Sequence, residues 1–153
     1  MNVESMLKDI VESVKVKEEH SGHEDLRAKT ALMYASRIGD IEIVRLLVEK
    51  GATVRVQDKE GWEPLMFAAQ MGHTKVVKFL IENGADVNCA ADDGETALMM
   101  AYDTNSETVK TLIEAGAYLD SMNKDGETAL TYALKKKDKV MAQILIEAGA
   151  GVN

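Results

Sequence analysis

Four leucines, Leu32, Leu65, Leu98 and Leu130, stand 33, 33 and 32 residues apart. Each lies in a near-copy of one string: Thr-Ala-Leu-Met at 30–33 and 96–99, Glu-Pro-Leu-Met at 63–66, and Thr-Ala-Leu-Thr at 128–131. A second ruler agrees, since the Gly-Ala pairs beginning at Gly51, Gly84, Gly116 and Gly149 are spaced 33, 32 and 33. A constant period of this length means one supersecondary unit copied along the chain, and such a unit buries its apolar face only by stacking on its neighbours. The one-residue shortfall lies between Leu98 and Gly116, where 102–107 replaces the longer stretch 69–75 of the second unit. It falls at the expected turn between two helices.

The second unit shows the local chemistry most fully. Pro64, the only proline, suits a first helical position, where its fixed φ is pre-organised and its missing N–H costs nothing. Thr30, Thr96 and Thr128 stand where this unit has Glu63, and a threonine hydroxyl there accepts from an otherwise orphaned N–H. Leu65, Phe67, Ala68 and Ala69 lead to Gly72-His73, after which Val76, Val77, Phe79, Leu80 and Ile81 mark a second, more apolar helix. Gly84 follows as a left-handed cap. The segments 85–88 and 92–94 read as the arms and tip of a short hairpin leading into the next unit. Tyr34, Phe67, Met100 and Tyr132 recur at one position and are expected in the core.

This pattern closely resembles the ankyrin repeat. The resemblance is carried by 58–61 with Pro64-Leu65, then Ala68-Ala69, Gly72-His73, Val76-Val77, Leu80-Ile81 and Gly84-Ala85-Asp86-Val87-Asn88. It implies an all-α solenoid of stacked helix-turn-helix repeats joined by short β-hairpin loops, with repeats at about 25–57, 58–90, 91–122 and 123–153. The histidine this family places after Pro-Leu is Met33, Met66, Met99 and Thr131 here, so thioether packing is expected to replace its hydrogen bonds. Unit one has Ala28 in place of the hairpin glycine.

Residues 1–23 precede the repeats. Val3, Met6, Leu7, Ile10, Val11 and Val14 make an amphipathic stripe, expected to cap the stack, with a dimer contact through 3–14 as the alternative. The fourth unit, with Lys135, Lys136, Lys137, Lys139 and Gln143, is expected to close the other end. The chain is expected to be a monomer.

Composition then narrows the function. A net charge of −8 argues against nucleic acid or anionic lipid as partner. One cysteine forms no internal disulfide, and no apolar run spans a bilayer, so the expectation is a soluble intracellular, cytoplasmic protein. His20 and His23 in their polar connector lack further metal ligands, and no metal or cofactor is expected. His73 is expected to be structural, Cys89 inert, and the lysine run 135–137 a solvated helix end. There is no phosphate loop and no nucleophile motif, so no enzyme is expected.

What remains is binding. In ankyrin-like proteins the partner meets the hairpin tips and the exposed ends of the first helices, on the concave face. By resemblance the tips are Lys29; Lys59, Glu60 and Trp62; Asp92, Asp93 and Glu95; and Lys124, Asp125 and Glu127. The helix positions are Arg37 and Ile38, Gln70 and Met71, Asp103 and Thr104, and Lys135 and Lys136. Trp62, the only tryptophan, with Ile38 and Met71 is expected to form an apolar patch flanked by Arg37 and Lys59 on one side and by the acidic tip at Asp92 to Glu95 on the other, a composition typical of binding hot spots; the alternative is that Trp62 folds back over its neighbours and only packs the tip. The resemblance also implies Asn88 as a candidate for asparaginyl hydroxylation. The expected function is a non-enzymatic protein-interaction module. Alternatives are a small inhibitor of an enzyme, as the resemblance to inhibitors of cyclin-dependent kinases suggests, or a purely structural or engineered solenoid.

Overall fold

The structure, a computed structural model, describes residues 24–151, with side chains from residue 31 onward. The expected N-terminal helix and His20 and His23 lie outside the described residues. Eight helices follow in chain order among them: α1 Glu24–Ile38, α2 Ile41–Glu49, α3 Pro64–Gln70, α4 Thr74–Glu82, α5 Ala97–Met100, α6 Ser106–Glu114, α7 Ala129–Lys135 and α8 Lys139–Glu147. The first helices of successive units pack on one another, α1 on α3 on α5 on α7, and so do the second helices, α2 on α4 on α6 on α8. The fold is an all-helical repeat solenoid of two layers, with the core between them.

Each registering leucine sits in that core. Leu32, Leu65, Leu98 and Leu130 are buried, as are Val44, Leu80, Leu112 and Leu145 of the second helices. Complete burial of such a side chain contributes about 1.5–3 kcal/mol, so an array lacking neighbours would forfeit most of its stability.

The caps explain the helix starts. Thr96 Oγ1 accepts from Met99 N and Thr128 Oγ1 from Thr131 N, as the sequence predicts. Thr30 does not cap, because α1 runs unbroken through it from Glu24. Without a glycine, the helix-compatible string 24–29 has no residue that turns cheaply, so unit one has no hairpin and Lys29 is not a tip. At Glu63 the roles reverse: its backbone N–H donates to Met66 Sδ at 3.4 Å, so the methionine in the family's histidine position packs and also accepts a hydrogen bond.

The residues that open the second helices do two things. Asp40, Asn105 and Asp138 cap their own helices. His73, Asn105 and Asp138 also reach back one unit: His73 Nε2 lies 2.8 Å from Arg37 O, Asn105 Nδ2 donates to Gly72 O at 2.8 Å, and Asp138 Oδ2 accepts from Asp103 N at 2.8 Å. The expected structural role of His73 is therefore met by the preceding unit. Buried Thr74 and Thr108 add a hydroxyl pair 2.7 Å apart.

The missing residue of unit three goes with a first helix of four residues, and Asp103, at φ 59, makes the left-handed turn that Gly39, Gly72 and Lys137 make between the helices of the other units. At the C-terminal end, unit four is less polar outside than expected. Leu134, at the register of fully buried Ala69, is 61% exposed, and Val140 and Ile146 are exposed as well.

Candidate partner-binding groove

Three hairpin tips repeat one pattern of hydrogen bonds. Asp58 N donates to Trp62 O, Ala91 N to Glu95 O and Asn123 N to Glu127 O, and each closes on a glycine N–H, Gly61, Gly94 or Gly126. Asp58 Oδ1 accepts from Glu60 N and Trp62 N, and Asn123 Oδ1 from Asp125 N and Glu127 N. Successive tips join, Asp92 N to Glu60 O at 2.9 Å and Lys124 N to Asp93 O at 2.7 Å, so they form one continuous strip. This strip and the layer of first helices bound a groove.

In units three and four the protein fills that groove itself. Tyr102 and Tyr132 stack with centroids 5.6 Å apart, Tyr132 Oη donates to Glu95 Oε1 at 2.6 Å, and Lys136 Nζ lies over the Tyr102 ring at 5.5 Å. Lys135 Nζ pairs with Glu127, which holds that carboxyl below the ordinary glutamate range. Burial and the hydrogen bond to Glu95 hold the Tyr132 phenol well above its ordinary value. The lysine run is thus only partly a solvated helix end, since two of its members bind neighbours.

Among the described residues, units one and two leave the groove open. A cavity of about 210 Å3 is lined by Met33, Tyr34, Arg37, Asp58 and Phe67. That is below the roughly 300–1,000 Å3 of small-molecule sites, and it suits a single side chain. Trp62 packs its ring on Phe67, tilted, with centroids 5.0 Å apart. Half-buried Trp62 thus lies back on Phe67, behind one of the residues that line the cavity.

Of the predicted residues, Arg37, Ile38, Lys59, Glu60, Gln70, Met71, Asp92 and Asp103 are exposed, while Asp93 and Glu95 are half-buried. Ile38 at 68% and Met71 at 49% exposure extend the apolar surface along the ends of α1 and α3. Only Arg37 among them lines the cavity. Asp103 sits far along the array in a turn, its N–H bound to Asp138.

The core expectation for Tyr34 is corrected: it is 58% exposed, whereas Phe67 and Tyr132 are half-buried and only Met100 is buried. Trp62 covers Phe67, and Tyr102 and Glu95 cover Tyr132; unit one has no hairpin to supply such a cover. The signal was present in the sequence, because Ala28 in place of glycine removes the tip.

Elsewhere polar side chains bond within the array. Asn88 Oδ1 accepts from Tyr118 N and its Nδ2 donates to Gly116 O, tying unit two to unit three. Cys89 is buried beside Glu63, and its thiol is pushed up to about 12 by burial and by that carboxylate. Among the described residues no three His, Cys, Asp or Glu side chains gather as a metal site, and no helix is long and apolar enough to cross a membrane.

A family model described as ankyrin repeats (3 copies) matches residues 3–91 and again 85–153. The chain belongs to the ankyrin-repeat family, whose repeats are in general protein–protein interaction modules. No curated protein matches the chain.

Proposed function

We propose that this chain is a non-enzymatic protein-binding module that holds a protein partner in the open groove of units one and two. The observation that carries the reading is Tyr34: an aromatic side chain more than half exposed, lining a cavity sized for one side chain. Exposed apolar surface rimmed by charge costs solubility and marks interaction sites, and aromatic residues lead among interface hot spots. Ile38 and Met71 continue the apolar surface, with Arg37 at its rim.

The test is capture from extracts of the source cells on the immobilised full chain. Three forms are compared: the natural sequence, a Tyr34→Ala/Met71→Ala double variant, and a Lys75→Ala/Lys110→Ala double variant on the second-helix layer, all confirmed folded by circular dichroism. A protein lost only from the groove variant supports the reading. One lost only from the second-helix variant overturns it.

A further inference from the structure

Resting on that reading of the groove, we propose that its partner is a cationic protein segment, which seats one apolar side chain between Tyr34 and Phe67 and sets Lys or Arg side chains on Glu60, Asp92 and Asp93. The first observation is charge. The three hairpin tips carry Asp58, Glu60, Asp92, Asp93, Glu95, Asp125 and Glu127 against only Lys59 and Lys124, so the strip bordering the groove is far more acidic than a mixed surface.

The second observation is how the protein satisfies this same strip where it fills its own groove. In unit four a lysine from the first-helix layer pairs with Glu127, and in unit three a hydroxyl from that layer bonds Glu95. At the register of Lys135, unit two has Gln70, which brings no charge. Among the described residues, Asp58, Glu60, Asp92 and Asp93 take part in no ion pair. Glu60 and Asp92 are exposed on tips joined by the Asp92 N to Glu60 O bond, so two exposed carboxylates, without an ion pair among the described residues, sit on adjoining tips. The first-helix layer supplies cation and aromatic to the strip in units three and four; a partner segment supplies the cation in units two and three and the apolar side chain in the cavity.

Arg37 sets the polarity. It lines the cavity from the helix side while Asp58 lines it from the hairpin side. Cationic residues of the partner therefore lie along the strip and not over α1. Complementarity of this kind speeds encounter and selects among partners, and its share of the affinity falls with salt.

The experiment selects a random peptide library displayed on phage against the full chain at low salt, then titrates the synthesised winners by the fluorescence of Trp62. Expected winners are cationic with one large apolar residue. Their affinity falls about tenfold with Glu60→Gln/Asp92→Asn, about tenfold with Tyr34→Ala, and falls as salt is raised. All three altered side chains are exposed, and circular dichroism confirms that the variants fold. Neutral or acidic winners that Tyr34→Ala still weakens overturn the cationic partner and leave the groove reading standing. Winners indifferent to both variants overturn both. A library yielding no enriched peptide overturns the proposal for an extended cationic segment, while the capture experiment judges the groove separately.

Discussion

Asn105 donates its side-chain amide to the carbonyl of Gly72, one unit back, at 2.8 Å. Its Oδ1 meanwhile caps α6 through Thr108 N at 2.8 Å and accepts from the Thr108 hydroxyl at 3.0 Å. One side chain thus starts a helix and fastens it to the preceding repeat. Replacing it with alanine removes a cap and leaves the Gly72 carbonyl without this partner, so Asn105→Ala is expected to cost about 2 kcal/mol in urea unfolding. A loss below about 0.5 kcal/mol would show the rung to be dispensable.

Two glycines separate backbone strain from crowding. Gly84 has φ 101 and an added Cβ would meet nothing within 4 Å, so Gly84→Ala is expected to cost only the left-handed strain, about 1 kcal/mol. At Gly39, φ is 85 and the added Cβ would fall 2.4 Å from the His73 ring, which the Arg37 carbonyl holds in place. Gly39→Ala is expected to cost clearly more, and thermal melts of the two variants read the order directly. Equal losses would mean that the His73 ring moves aside freely.

Glu63 is a carboxyl at 1% exposure, and its Oε1 has no hydrogen-bond partner, although Arg55 Nε lies 3.6 Å away. Burial raises its pKa above the ordinary 4.5, outweighing Arg55. The folded chain therefore holds this proton more tightly than the unfolded chain. The stability this provides is complete below pH 4.5 and is lost as pH rises through the folded value. Relative to the natural sequence, Glu63→Gln is expected to gain stability as pH rises above 4.5, reaching on the order of 1 kcal/mol at pH 8. Urea unfolding at several pH values measures the difference. A relative stability that falls with rising pH would mean that the Arg55 pair outweighs burial.

Cys89, buried and pushed up to about 12, has almost no thiolate at pH 8. Alkylation by iodoacetamide is expected to run on the order of a hundredfold or more slower in the folded chain than in urea. Comparable rates would place the thiol in a more open or more polar setting.

The repeat register was legible because the leucine and glycine spacings report one physical requirement, a unit that packs on its own copy. Thr96, Thr128 and Pro64 were legible because a helix start has few chemical solutions. Tyr34 was legible only indirectly, through Ala28 at the place of the hairpin glycine, and not from its own register. Its register neighbours Phe67 and Tyr132 are covered by Trp62 and by Tyr102 with Glu95, residues supplied by other segments, and a position-by-position reading does not see a missing cover. The reach of Asn105 to Gly72 and of Asp138 to Asp103 was hidden for the same reason: a capping residue announces its own helix and says nothing of the turn one repeat back. For Trp62 the sequence left a projecting and a folded-back ring both open, and packing on Phe67 decides for the second.

A partner in the open half of the groove leaves a footprint that amide hydrogen exchange reads on the full chain, free and bound to a captured protein or a selected peptide. Slowed exchange at 33–38 and 58–71, with α4 and α6 unchanged, is the predicted footprint. Protection confined to 74–82 and 106–114 would put the partner on the second-helix layer and not in the groove.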